Sequence, residues 1–214
     1  ITREIKVIPN FIDLEKFQRQ RKDHFKMAIC PNGEKLIVHT SNFRKVKRVD
    51  DVVRIFKKIS ETIPARLLLV GDGPERGHIE GLCRELGIYD EVRFLGKLEA
   101  VEEVLSVADL FLMPSEKESF GLAALEAMAC QVPVISSNAG GIPELNVDGV
   151  TGFTADIGDV ETMTEKALFI LSEENLDNFK RNALERAKEF DIDKVLPLYE
   201  AHYNQVLESV LEAH

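Results

Sequence analysis

Residues 110–129, LFLMPSEKESFGLAALEAMA, pass from four apolar residues through a polar turn into a stretch of small and apolar residues with helical spacing. An apolar run that short, stopped by Pro114, reads as a strand buried on both faces that feeds a helix. The same alternation continues on either side. Upstream, residues 36–39 (LIVH) precede SNFRKVK and a helix on which Val49, Val52, Val53, Phe56 and Ile59 recur at helical spacing. Residues 66–70 (RLLLV) precede GDGPERG and a helix through Leu86, and residues 92–95 (VRFL) precede a helix near 100–107. Downstream, residues 132–136 (VPVIS) lead into NAGG and a short helix from Ile142. Five such strand-helix units predict an α/β fold: a Rossmann-like, doubly wound parallel sheet. From Val160 onward the pattern is helical, and Leu196, Tyr199, Tyr203, Val206 and Val210 mark one face of a last helix.

The 214 residues carry 27 Lys and Arg against 37 Asp and Glu, a formal charge of −10. That surplus of carboxylates opposes a general affinity for nucleic acid or anionic membrane, so any anion site must be local. No stretch approaches the roughly 20 apolar residues of a spanning helix, and none reads as a signal peptide, which makes the cytoplasm the expected setting. Cys30, Cys83 and Cys130 are widely separated and form no CxxC pair, so buried free thiols are expected. The five histidines have no metal-ligand spacing, and His39, at a strand end, reads as a satisfied core imidazole.

In an open α/β sheet, ligands bind beyond the carboxyl ends of the strands, so the loops there carry the chemistry. One loop is basic (Asn42, Arg44, Lys45, Lys47, Arg48), two are glycine-rich (Gly71, Asp72, Gly73 and Asn138, Gly140, Gly141), one holds Gly96 and Lys97, and one is acidic (Glu116, Glu118, Ser119). Such a set suits an elongated ligand with a diphosphate in the middle and hydroxyls at its ends. GDGPERG gives GxGxxxG, which departs from the GxGxxG of dinucleotide sites, and a tight strand-to-helix turn with Pro74 in the first helical turn is the preferred reading. In EKESFGLAALE, Ser119 is the expected N-cap, which leaves the amides of Phe120, Gly121 and Leu122 free to meet a phosphate at the helix N-terminus. Glu118 and Glu126 flank that end, and carboxylates suit paired sugar hydroxyls; ordinary helix-start and helix-surface charges are the equal alternative.

The ordered series VIPNFID, SNFRKVKR, LLLVGDGPE, VRFLG, PSEKESFGLAALEAMA, VPVISSNAGGIPEL and DGVTGF resembles the nucleotide-binding half of retaining family 4 (group 1) glycosyltransferases of the GT-B fold. The resemblance implies that residues 1–20 are an interdomain connection, 21–190 the donor domain and 191–214 a C-terminal helix, with an acceptor domain outside this chain. It also implies that Glu118 meets the donor sugar, that Ser119, Phe120, Gly121 and Leu122 meet sugar and diphosphate, and that Glu126 meets the ribose. Arg44 and Lys47 match the diphosphate-holding pair, although they stand three apart where many members have five, which puts Asn42 at the alternative position. Gly71 lies beside the donor, and Lys97 and Leu98 match the segment that meets the nucleobase. Glu118, Lys47 and Arg44 are the implied catalytic residues. Transfer would retain configuration without metal, cofactor or protein nucleophile. SNFRKVKRVDDV, LLVGDGPE and SEKESFGL further resemble members that use UDP-N-acetylglucosamine and a small anionic acceptor, L-malate. Gln131 stands where the family usually has Gly.

Overall fold

A computed structural model describes residues 5–20 and 23–211. Six parallel strands lie in the order β3-β2-β1-β4-β5-β6. They are β1 (Lys35–Ser41), β2 (Ala65–Gly71), β3 (Val92–Gly96), β4 (Leu110–Met113), β5 (Val134–Ser137) and β6 (Gly152–Ala155). Nine helices surround the sheet among the described residues: α1 (Asp23–Ile29), α2 (Val49–Ser60), α3 (Arg76–Glu85), α4 (Val101–Leu105), α5 (Leu122–Ala129), α6 (Ile142–Leu145), α7 (Val160–Leu171), α8 (Leu176–Ala187) and α9 (Ile192–Leu211). The expected doubly wound sheet is therefore present, with a sixth strand in GFTA that the five-unit reading omits.

Both faces of the central strands are covered. Ile37 and Leu110 pair in register and face a core with α2, α3 and α7, whereas Val38 and Phe111 face a second core with α5 and α8. Continuous burial of residues 110–113 follows from this double cover and explains the unbroken apolar run. Cys30, Cys83 and Cys130 are free and buried, and burial raises each thiol above its ordinary range.

Two boundaries differ from the sequence reading. Helix α5 starts at Leu122 with Gly121 as its N-cap (φ 96°), so Ser119 is not the cap. The reason is packing: Phe120 is drawn inward onto Phe190, with ring centroids 5.5 Å apart, and the chain must then turn through a left-handed residue to begin the helix. Pro74 likewise precedes α3, which begins at Arg76. At the other end of α5, Gln131 occupies the left-handed region (φ 61°) and donates its amide to Met128 O at 2.9 Å. A helix often stops on a left-handed glycine, which accounts for the Gly that the family resemblance supplies there.

The amino end of β4 is tied by Asp109, which is 3% exposed. Its carboxylate takes Lys26 Nζ at 2.7 Å, Lys180 Nζ at 3.1 Å and the Leu36 amide at 3.0 Å, with Arg19 Nη2 at 3.9 Å. Burial alone would raise its pKa, but Lys180 and Lys26 outweigh burial and hold it below the ordinary carboxylate range. Lys180 is pushed down by its own burial against the pull of Asp109. One carboxylate thus joins residues before β1, α1 and α8 to the sheet. Residues 5–20 also meet the start of α9: Ile12 N–H donates to Phe190 O and Ile192 N–H to Ile12 O, both at 2.9 Å. The 20/21 boundary and residues 212–214 expected in the last helix touch positions outside the described residues, as does the Val210 side chain.

Candidate functional site at the strand carboxyl ends

The strand order reverses between β1 and β4, since the chain leaves β1 toward β2 and leaves β4 toward β5. A crevice opens beyond the carboxyl ends at such a switch point. The basic loop after β1 and the acidic loop after β4 meet there. Glu116 N–H donates to Val46 O at 2.8 Å, and Lys47 Nζ lies 2.5 Å from Glu118 Oε1. Ser115, fully buried, donates its hydroxyl to the same Glu118 oxygen at 3.0 Å. The Lys47 and Glu118 side chains remain 22% and 14% exposed, so the pair is oriented yet reachable.

Glycines hold both loops in place. A Cβ at Gly71 (φ +122°) would lie 1.8 Å from Ser41 O, and one at Gly73 would lie 2.0 Å from Asn42 O. On the other side, a Cβ at Gly140 (φ +59°) would lie 1.9 Å from Glu118 O, and one at Gly141 would lie 2.2 Å from Ser119 O. Each glycine pair lets the outer loop lie directly on the backbone of the inner one. GDG therefore serves chain approach, as the tight-turn reading has it.

Below the basic loop, His39 is 1% exposed, with Nδ1 2.8 Å from Leu112 O and Nε2 2.8 Å from Ser41 Oγ. It is a satisfied core imidazole, as expected, and burial lowers its pKa to about 4. Among the described residues, no group of three or more His, Cys, Asp or Glu is gathered to hold a metal ion.

The remaining candidates divide. Glu126 is half-buried on α5, and desolvation raises its pKa to about 6, with Lys16 opposing and Glu102 adding to the rise. Its charged neighbours are thus Lys16, from the stretch before α1, and Glu102 of α4. With Gly121 as cap, the first helical amide is that of Leu122, whose side chain is exposed, while Ala124 N–H already donates to Gly121 O at 2.9 Å. Phe120 and Ser119 belong to the turn before the helix. Arg44 is not brought to Glu118: it lines a separate polar cleft of about 320 Å³ with Lys45, Arg48, Glu75, His78 and Glu116. Asn42 is exposed at the loop's start. Leu98 lines an apolar cavity of about 530 Å³ with Leu68, Leu95 and Val104, and Lys97 is exposed beside it. Ser115 and Lys16 were not singled out by sequence reasoning; Ser115 shows only as a hydroxyl three residues before a carboxylate.

A partly exposed pair of opposite charges thus sits at the switch point of a Rossmann-like sheet of order 3-2-1-4-5-6, the place where such domains bind ligands. The sequence matches the family model described as glycosyl transferases group 1 over residues 20–189, and the chain belongs to that family. It is 44% identical over 211 residues to N-acetyl-alpha-D-glucosaminyl L-malate synthase of Bacillus anthracis, covering 96% of this chain and 55% of that protein. Among solved structures, it resembles sucrose-phosphate synthase from Thermosynechococcus elongatus (TM-score 0.87, 27% identity, 95% of this chain and 53% of that one). It also shares its fold with Anabaena HepE in complex with UDP and glucose (TM-score 0.81, 23% identity, 98% of this chain and 57% of that one). The fold is that of one half of a GT-B glycosyltransferase, and the chain spans about half the length of the relatives it matches. Among the described residues, no helix is long and apolar enough to cross a membrane.

Proposed function

We propose that this chain is the donor-binding half of a retaining, metal-independent glycosyltransferase. It would move N-acetylglucosamine from UDP-N-acetylglucosamine to L-malate in the cytoplasm, a step of bacillithiol biosynthesis. The observation that carries this reading is the Lys47–Glu118 pair at the switch point, 2.5 Å apart and still reachable. The name of the Bacillus anthracis relative supports the choice of sugar and acceptor.

In this reading the donor diphosphate takes over Lys47, and Glu118 turns to the sugar hydroxyls. The N-terminus of α5 faces the diphosphate, Glu126 accepts from the ribose, and Lys97 with Leu98 meets the base. Arg44 reaches the diphosphate by swinging from its polar cleft, or Asn42 takes that place. As the bond between the anomeric carbon and the phosphate oxygen breaks, its electron pair leaves with the diphosphate. The acceptor hydroxyl adds on the same face and gives its proton to that oxygen. Lys47 stabilises the leaving charge, the largest contribution that a fixed cation makes to such a step. The other half of the full-length protein supplies the rest of the acceptor site.

Calorimetric titration with UDP, UDP-N-acetylglucosamine and GDP-mannose, without metal, tests the donor. The reading predicts preference for the uridine ligands and turnover with L-malate in the full-length enzyme. A preference for GDP-mannose would keep the family and discard this donor and acceptor. A second reading, a nucleotide-sugar-binding module with no turnover of its own, is favoured by the 55% coverage of the relative and predicts binding without transfer by this chain alone.

A further inference from the structure

His39 lies beneath the site and takes no part in the scheme above, yet its hydrogen bonds are fully determined. Leu112 O can only accept, so Nδ1 must carry the proton that meets it at 2.8 Å. The neutral imidazole then presents a lone pair at Nε2, and the Ser41 hydroxyl must donate to it at 2.8 Å. With its proton committed, Ser41 Oγ is left to accept from the Phe43 amide at 3.3 Å. The chain of bonds runs in one direction, from Phe43 N–H through Ser41 and His39 to the backbone of β4.

Phe43 marks where this chain of bonds acts. It is fully buried yet held at φ 34°, a conformation that an aromatic L-residue does not adopt unaided. Its carbonyl accepts from Glu75 N–H at 3.0 Å, so both its backbone polar groups are fixed. Four residues later the chain reaches Lys47. Leu112 in turn stands three residues before Ser115, the hydroxyl that orients Glu118. A single imidazole thus joins the end of β1 to β4, the two strands that lead into the loops whose charges meet in the crevice.

We propose that His39 and Ser41 are positioning residues for nucleotide binding: their ordered pair of hydrogen bonds fixes the basic loop in the conformation that presents Lys47 to the donor diphosphate. This rests on the donor reading above. Neither side chain touches the ligand, and their effect is felt where phosphate is gripped.

The test has two parts. Nitrogen-15 NMR of the imidazole should report the Nδ1–H tautomer of a neutral ring at pH 7, and the Phe43 amide should be protected from hydrogen exchange. Calorimetry with UDP and UMP then compares wild type with Ser41→Ala, Ser41→Thr and His39→Asn, the last of which keeps a donor for Leu112 O but no longer reaches Ser41. Ser41→Ala and His39→Asn should each lower the ratio of UDP to UMP affinity about tenfold and expose the Phe43 amide, and Ser41→Thr should restore both. A general loss of packing would weaken both nucleotides together. An Nε2–H tautomer, or an unchanged ratio in folded Ser41→Ala and His39→Asn, overturns the positioning role alone. No UDP binding by the wild type overturns the donor reading and this role with it.

Discussion

Two clusters of opposite charge sit at opposite ends of the same strands, and they are built differently. At the amino end, Asp109 is surrounded by Lys26, Lys180 and Arg19 and is 3% exposed. At the carboxyl end, Glu118 meets one cation, Lys47, and the Ser115 hydroxyl, with 22% of the Lys47 side chain and 14% of the Glu118 side chain exposed. The first draws three segments together, and its loss would leave Lys26, Lys180 and Arg19 without the buried carboxylate they share. The second holds two loops that glycines and backbone bonds already hold, so its charges are free to be exchanged for a ligand's. Burial of the carboxylate and number of partners, more than the presence of a salt bridge, separate a cluster that maintains the fold from the pair that the donor reading assigns to a substrate.

Asp109→Asn should show the largest effect, a loss of about 3–5 kcal/mol in urea denaturation, because it removes the charge from the hydrogen bonds that Lys26, Lys180 and the Leu36 amide make to one buried carboxylate. UDP affinity should be unchanged wherever that variant is folded. Glu118→Gln should do the reverse, with stability within about 1 kcal/mol of wild type and transfer by the full-length enzyme abolished. If Glu118→Gln proves as destabilising as Asp109→Asn, the distinction between the two ends fails.

Acid separates the two ends again. The folded pKa of His39 is depressed to about 4 from 6.5, so its contribution is present above pH 6.5 and is lost as the pH falls toward 4, about 3 kcal/mol in all. Asp109 is also held below its ordinary value, so its contribution is lost only as pH falls below about 4, the usual carboxylate range. Between pH 7 and 4 the wild type should lose about 3 kcal/mol more stability than His39→Asn does. An equal loss in both would assign it to other groups.

Glu126 has the opposite sign. Its folded pKa is raised from 4.5 to about 6, so the favourable balance present below pH 4.5 is lost as pH rises through 6. Glu126→Gln should therefore stabilise the ligand-free chain by about 1–2 kcal/mol at pH 7.5, while it weakens binding of the uridine ligands. Gln131→Gly should add about 1 kcal/mol by relieving the left-handed backbone, with no change in ligand affinity. Thermal and calorimetric data on the two variants would show one gain linked to binding and one free of it.

Much of this was legible in the sequence because it depends on periodicity. Double burial of residues 110–113 writes an unbroken apolar run, and the 3.6-residue spacing from Val49 to Ile59 writes α2. Strand β6 was missed because four residues beginning with a glycine at the sheet edge give too short a signal. Ser119 was misread as the cap because a local preference for serine yields to the burial of Phe120 against Phe190, a partner 70 residues away. The residue types of the site were visible, but their pairing was not. Nothing in SNFRKVKR says that Lys47 turns to Glu118 while Arg44 turns to the cleft beside Glu75. That division depends on the short 3-10 turn at Lys45–Lys47 and on glycines from neighbouring strands.

The most direct test is a calorimetric titration of UDP-N-acetylglucosamine, without metal, into the wild type, Lys47→Met and Asp109→Asn at a temperature where all are folded. The account predicts equal affinity for wild type and Asp109→Asn and at least a tenfold loss for Lys47→Met. Undiminished binding by Lys47→Met, or loss of binding in folded Asp109→Asn, would contradict it.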